Sequence, residues 1–138
     1  MAFKVFLDAN ILLDFLLKRT DYPDAEKIIK LILDKKIRGF ITPAIVHIVS
    51  YWVSKAYGND KTKELLLLLL SDITVIDSSH QITLMALHSK IDDIEDALQY
   101  YTALQHKLDF FLSRDKNLKK SAIDSLPVFN MTEFLGFI

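Results

Sequence analysis

Acidic side chains stand at the ends of two apolar runs that are far apart in the chain. Asp8 directly follows the apolar run from residue 3 to 7, and Asp115 comes shortly after a second run at 110–112. Carboxylates gathered in one crevice repel one another unless protons or cations neutralise them. Mg²⁺ and Mn²⁺ accept oxygen ligands, activate water and stabilise charge on a phosphoryl oxygen. Acids meeting at one place would therefore predict metal-dependent phosphodiester hydrolysis. A third acidic group lies between the two runs and consists of Asp93, Glu95 and Asp96.

A simpler interpretation exists for each acid taken singly. Asp8, Asp93 and Asp115 all precede segments with helical patterning, and aspartate is a favoured helix N-cap. Asp96 would lie in a first helical turn, where a negative charge interacts well with the helix dipole. A shared location at one sheet edge favours a ligand role over four unrelated caps.

The hydrophobic pattern places these acids between strands and helices. Apolar runs bounded by turn residues predict strands at 3–7, 40–42, 73–76, 110–112 and 126–129. Gly39 is interpreted as punctuation before the second strand. Helical spacing and capping residues predict helices over 10–17, about 21–33, 43–56, 61–71, about 79–90 and 92–107, a short helix after Asp115, and a small helix from Thr132.

This alternation of strand and helix predicts an α/β fold in which helices cover both faces of a parallel sheet. Ligands of such sheets bind at the carboxyl ends of the strands, where the strand order reverses. Asp8 and Asp115 would both lie at that edge. No internal repeat or composition shift divides the chain, so residues 1–138 are predicted to form a single domain.

Composition excludes several classes of protein. The sequence has no cysteine, which excludes disulfide scaffolds and thiolate chemistry. Lys4 and Asp8 interrupt the first apolar run, and the longest leucine run, 65–70, is too short for a membrane span. We therefore expect a cytoplasmic protein without a membrane segment. The formal net charge of −1 is unusual for a protein that binds nucleic acid through many phosphates, so any such contact should be short or local.

Three short motifs resemble those of PIN domains. The stretch from Phe6 to Asp14 is similar to their first motif, a strand that ends in Asp followed by a small residue, Asn and an apolar helix. Residues 93–99 resemble the central motif, where Asp is followed by Ala-Leu, and residues 111–116 resemble the late Ser/Thr-Arg/Asn-Asp motif. The end of the chain, with Pro127-Val128 and residues 131–134, resembles the last strand and helix of the family.

The resemblance implies a Rossmann-like three-layer sandwich with strand order 3-2-1-4-5 and a metal-dependent endoribonuclease. Small members are typically toxins of type II toxin–antitoxin pairs of the VapBC kind, which implies an RNA substrate and an antitoxin partner. By match to the motifs, Asp8, Asp96 and Asp115 are the expected catalytic metal ligands for Mg²⁺ or Mn²⁺. Asn10 and Asp93 are expected beside them.

The sequence departs from the family at one place. PIN domains usually carry a Glu on the helix after strand two, but residues 42–52 contain no acid, and His47 stands at or beside the expected position. His47 is either an imidazole ligand, which would favour Mn²⁺, or a partly buried residue of a helix that has lost its carboxylate. Asp14 matches an acid of one subgroup and is expected at the surface or just behind the site.

Other residues suggest contacts with partners. Arg114 and Lys116 are the best candidates for RNA phosphate contacts. Trp52, with its aromatic neighbours, could stack a base, although packing is the commoner use of such a residue. The apolar residues of 11–17 and 28–33 exceed what one small core seemed to require, which predicts a homodimer face or an antitoxin groove.

Three other functions compete with cleavage of RNA. A haloacid-dehalogenase-like phosphatase would need a second Asp where Asn10 stands, and a receiver domain would need paired early acids and a late Lys. The more serious alternative is a PIN-fold protein that binds RNA or a protein partner without cleavage, because the helix Glu is missing.

Overall fold

The fold is an α/β sandwich built on one parallel sheet, described for residues 2–138 by a computed structural model. The strands are β1 (Phe3–Leu7), β2 (Ile37–Ile41), β3 (Ile73–Val75), β4 (Phe110–Leu112) and β5 (Val128–Phe129). The helices are α1 (Ala9–Leu16), α2 (Tyr22–Leu33), α3 (Pro43–Tyr57), α4 (Asn59–Leu69), α5 (His80–His88), α6 (Ile94–Gln105), α7 (Lys116–Ser121) and α8 (Met131–Phe137).

The strand order is β3-β2-β1-β4-β5 and every pairing is parallel, which confirms the predicted topology. Consecutive residues of β1 and β4 are buried although their side chains point to opposite faces, so both faces of the sheet are covered. The chain runs from β1 outward to β3 and then returns to the other side of β1 for β4. The carboxyl ends of β1 and β4 are therefore neighbours at the point where the order reverses.

The sheet centre is aromatic and closely packed. Phe6 of β1 stacks on Phe111 of β4 with ring centroids 4.6 Å apart and planes inclined by 17°. Tyr100 of α6 is buried against Phe111, and its hydroxyl donates to the Leu126 carbonyl over 2.7 Å. These contacts fix β4 and α6 relative to β1, and so fix the loops that follow each element.

The second strand begins earlier than predicted, because Gly39 lies inside β2 and does not precede it. A Cβ at Gly39 would lie 2.7 Å from Cδ1 of Ile32, which packs down from α2. The glycine is needed for this close approach of helix and strand, not for a turn. A turn glycine occurs at Gly58, which lies between α3 and α4 and has a φ of 84°.

Most of the apolar residues of α1 and α2, which suggested a partner surface, are buried in the core. Ile11, Leu12 and Leu16 of α1 and Ile28 and Ile32 of α2 are all buried within the domain. Large exposed apolar side chains lie mainly elsewhere, so the homodimer stays a prediction without support from these two helices. Within residues 2–138, no helix has the length and apolar character needed to cross a bilayer.

Candidate active site

The carboxyl ends of β1 and β4 open into a cleft of about 450 Å³ whose walls are rich in carboxylates. It contains every acid predicted as a ligand, Asp8, Asp96 and Asp115, together with Asn10 and Asp93. Glu95 of the predicted acidic group and Trp52, which was considered for base stacking, also line it, whereas the sequence analysis assigned no site role to Leu13, Arg19, Ile48 and Ser113.

Asp8 is held rigidly between β1 and β4. Its backbone N–H donates to the Leu112 carbonyl over 3.1 Å, which continues the β1–β4 pairing by one residue. Oδ1 accepts from the Ala9 N–H over 2.8 Å, and Oδ2 accepts from the Ser113 hydroxyl over 3.1 Å. Burial raises the pKa of Asp8 above its usual value, although these two hydrogen bonds oppose the rise and nearby Asp115 adds to it.

Asp96 and Asp115 form a hydrogen-bonded carboxyl pair. Burial raises the pKa of Asp96 to about 7, and the hydrogen bond with Asp115 and the charges of Asp93, Asp8 and Asp115 act in the same direction. The pKa of Asp115 is lowered, chiefly because its carboxylate accepts the Leu118 N–H. The titrations of the two carboxyl groups are therefore linked, and near neutral pH the pair is only partly protonated.

The acids also cap helices, so the two interpretations of them were not exclusive. Asp8 caps α1, Asp93 caps α6 by accepting the Asp96 N–H over 2.9 Å, and Asp115 caps α7 by accepting from Asn117 over 2.8 Å. Three helix N-termini thus point toward one cleft, and their partial positive charge offsets part of the carboxylate repulsion. Glu95 adds a further acid, whose pKa is raised by burial and by the charges of Asp93 and Asp8.

The side of the cleft that α3 forms carries no acidic residue. Ile48 and Trp52 line the cleft, whereas His47 is exposed and lies outside it. The structure therefore brings His47 neither to the carboxylates nor into the partly buried position that was the alternative expectation. The missing glutamate leaves an apolar wall.

A charged cluster supports the opposite side of the cleft. Asp14 of α1 is buried, contrary to the surface position considered for it, with a side chain only 2% exposed. It accepts from Arg19 Nε over 2.8 Å, and Arg19 Nη2 donates to Asn10 Oδ1 over 2.9 Å. Arg114 Nη1 also reaches Asp14, over 3.4 Å, and Asp21, over 3.0 Å. Both arginines line the cleft while anchored by one buried carboxylate.

Lys116 lies beside the cleft and not in it. It is exposed on α7 and borders a shallow surface depression shared with Arg114, Lys119 and Lys120. Of the two predicted phosphate contacts, Arg114 lines both the cleft and this depression, and Lys116 lines only the depression.

The sequence matches the PIN domain family over residues 4–117, which is most of the chain. The protein is a PIN domain. Comparison of the sequence with curated proteins gives no match.

Solved structures share this PIN fold at low sequence identity. VapBC2 from Rickettsia felis, bound to a DNA fragment from its promoter, matches with a TM-score of 0.71 and 20% identity, covering 92% of this chain and 98% of that one. A toxin–antitoxin complex from Klebsiella pneumoniae gives 0.67 and 21%, covering 88% and 94%. VapC20 from Mycobacterium tuberculosis, a toxin that cleaves the sarcin–ricin loop, gives 0.67 and 9%, covering 88% and 97%.

The donor chemistry of the PIN cleft suits a hard divalent cation, although no three acidic or histidine side chains among residues 2–138 are already arranged as a metal cage. Asp8 and Asp115 use some of their oxygen lone pairs to accept hydrogen bonds, but each carboxylate has about four acceptor positions, so capacity remains. Burial contributes most to the raised pKa of Asp96, and the negative charges of Asp93, Asp8 and Asp115 add to it. A cation would relieve that repulsion, and its ligands would be oxygen atoms throughout, as Mg²⁺ and Mn²⁺ prefer.

Proposed function

We propose that this PIN domain is a metal-dependent endoribonuclease that hydrolyses RNA phosphodiester bonds. The observation that carries the proposal is the convergence of Asp8, Asp96 and Asp115 in one cleft, with the pKa of Asp96 raised to about 7. Such a perturbed acid in a cleft is typical of a functional site. Mg²⁺ or Mn²⁺ bound there would supply a hydroxide nucleophile and neutralise charge on the phosphoryl oxygens.

Each residue of the cleft has a role in this proposal. Asp8, Asp96 and Asp115 would hold the cation through their carboxylate oxygens. Ser113 orients Asp8 through its hydroxyl. Arg114, at the entrance, carries guanidinium nitrogens suited to a substrate phosphate. Since His47 lies outside the cleft, no imidazole selects Mn²⁺ over Mg²⁺.

The test is cleavage of a labelled, partly structured RNA with Mg²⁺, Mn²⁺ or EDTA. We expect cleavage with either metal, none with EDTA, and a loss of several hundred-fold or more in Asp8→Asn. Asp72→Asn is the matched control, because Asp72 is an exposed acid outside the cleft. Equal activity in Asp8→Asn and Asp72→Asn, or activity in EDTA, would contradict the proposal.

The second candidate function is RNA or protein binding without cleavage. The observation that favours it is the apolar α3 wall, where Ile48 and Trp52 provide no fourth carboxylate. With three aspartates one tightly held cation is expected, not two. A purified, folded protein that binds Mn²⁺ and RNA but cleaves nothing would support this second function.

We further propose that the chain is the toxin of a type II toxin–antitoxin pair, acting in the cytoplasm as a homodimer. Support for the partner comes from the similar solved structures, among them VapBC2 and the Klebsiella complex. Support for self-association comes from exposed apolar side chains on α4 and α5, including Leu67, Leu68 and Leu87. Co-purification with the product of an adjacent small reading frame tests the first point, and light scattering of the isolated chain tests the second.

A further inference from the structure

The apolar wall of the cleft contains a large aromatic ring that the core does not use. Ile48 and Trp52 lie one helical turn apart on α3 and both face the cleft. Trp52 is 50% exposed, whereas Val49 and Val53 on the same helix are fully buried and supply the packing of α3 on the domain. Half of the indole surface is therefore open to whatever enters between α3 and the carboxylates.

The neighbours of Trp52 restrict the ring and add positive charge beside it. Tyr51 meets it edge-on, with centroids 5.2 Å apart and planes inclined by 88°. The Lys55 ammonium lies 4.2 Å from the Tyr51 centroid and 5.4 Å from the Trp52 centroid, and it donates to the Tyr51 hydroxyl over 2.6 Å. The three side chains form an aromatic surface with the ammonium group lying over both rings.

A nucleotide combines the features that the two sides of this cleft can recognise. Its phosphate suits a cation held by the aspartates and suits the guanidinium of Arg114, and its base presents a flat face to an indole ring. Stacking of a base on an aromatic side chain contributes about 1–3 kcal/mol. Bases inside an RNA duplex are already stacked on one another, so only an unpaired base can use this surface.

We infer that Trp52 stacks on the unpaired base next to the phosphate that is cleaved, so that this side chain holds the nucleotide in the cleft. The inference extends the proposed ribonuclease function and rests on that function, because it assumes that the neighbouring phosphate is cleaved. Ile48 and Leu13 complete the apolar floor on which the base edge lies.

Because Trp52 is the one tryptophan of the chain, its fluorescence reports this contact directly. The probe is a short unstructured RNA, and the comparison is the same sequence within a hairpin stem, each titrated into Asp8→Asn protein with Mg²⁺ so that cleavage does not interfere. Anisotropy of a labelled copy of each RNA measures binding independently. We expect quenching of Trp52 fluorescence by the unpaired RNA and little change with the stem.

Cleavage kinetics give a second readout. On the unpaired RNA, Trp52→Ala should lower kcat/KM by about 10-fold or more, mainly through KM, while Trp52→Phe keeps most of the activity. The preference for unpaired over stem RNA should shrink in Trp52→Ala. Tyr57→Ala is the matched control, because Tyr57 is an aromatic residue of α3 with 45% exposure that lies outside the cleft. It should stay within about twofold of the wild type.

The outcomes separate this inference from the proposed function. Wild-type cleavage with unchanged kinetics in Trp52→Ala overturns the stacking contact alone. RNA binding detected by anisotropy without any change in Trp52 fluorescence also overturns it, as does a response only to a partner protein. Quenching by unpaired RNA in a protein that never cleaves supports the contact while overturning the nuclease.

Discussion

The Ser113 hydroxyl donates to Oδ2 of Asp8 over 3.1 Å and thereby joins the carboxyl end of β4 to that of β1. The same Ser113 oxygen accepts the Asp115 N–H over 3.1 Å. One buried hydroxyl thus links two acids of the cleft that come from opposite ends of the chain. It fixes their separation before any ligand arrives.

Ser113→Ala should weaken metal binding without unfolding the protein. Groups that orient metal ligands typically contribute about 10- to 100-fold in affinity, and we expect a loss of about 10-fold in Mn²⁺ affinity here. Calorimetric titration with Mn²⁺ measures it. Ser113→Thr keeps the hydroxyl and serves as the control; similar affinities for the alanine and threonine variants would show that the bond does not organise Asp8.

Asp96→Asn should stabilise the metal-free protein at alkaline pH. The folded-state pKa of Asp96 is raised to about 7, well above the ordinary value of an aspartate, so the folded state holds the proton more tightly than the unfolded state. Protonated Asp96 therefore contributes fully to the free energy of unfolding below about pH 4, and this contribution is lost as the pH rises through about 7. Since Asp96 is only partly buried, we expect a gain on the order of 1 kcal/mol at pH 8, or about 4 °C in Tm.

Thermal melts in EDTA from pH 5 to 9 measure this effect. The difference in Tm between Asp96→Asn and the wild type should grow as the pH rises, and Mg²⁺ should stabilise only the wild type. A difference that is flat with pH would mean that Asp96 is ionised throughout, which the carboxyl pair with Asp115 argues against.

Asp14→Leu should destabilise the fold more than Asp21→Asn, which removes only the exposed ion pair between Asp21 and Arg114. Asp14 is buried and anchors both Arg19 and Arg114, whereas Asp21 is 51% exposed. Removing the buried acid leaves two guanidinium groups without their anchor, and we expect a cost of about 1–3 kcal/mol in urea unfolding. Asp21→Asn should cost less than about 1 kcal/mol, because exposed ion pairs contribute little. Equal effects would mean that the arginines are not organised through Asp14.

Gly39→Ala should cost about 1–3 kcal/mol, because the new methyl group would overlap Ile32 of α2. Ile32→Val removes Cδ1, the atom in closest approach, so the double variant should be less destabilised than the sum of the two single variants. Gly136→Ala is the control. Nothing lies within 4 Å of its Cβ position, and alanine in α8 should stabilise by up to about 1 kcal/mol. Additive effects of the first two changes would contradict the contact.

The meeting of Asp8 with Asp115 could be predicted, because carboxyl ends of parallel strands share an edge whatever the details of packing. The strand order came from the resemblance to PIN domains. The orientation of α3 could not be predicted. Both the ligand interpretation and the partly buried interpretation of His47 were open, because the family match gave only an approximate position for the missing Glu. In the structure Ile48 and Trp52 line the cleft and His47 lies outside it.

Contacts between residues far apart in the chain could not be predicted from the sequence either. Asp14 was expected at the surface or just behind the site, and the sequence could not decide between the two positions. Of its two partners, Arg19 is near in the sequence, but Arg114 is brought to it only by the fold. Gly39 was interpreted as punctuation for a similar reason, because its requirement comes from Ile32 across the layer interface.

The helix-capping roles of Asp8, Asp93 and Asp115 determine how the chemistry of this cleft can be dissected. An alanine scan would remove a cap together with each carboxylate, at about 1 kcal/mol apiece, and would confuse local fraying of α1, α6 or α7 with lost catalysis. Asparagine caps a helix as well as aspartate does and removes only the charge. Asparagine variants therefore separate folding from chemistry at three of the cleft's acids, and the difference between the asparagine and alanine variants at each position measures the cap itself.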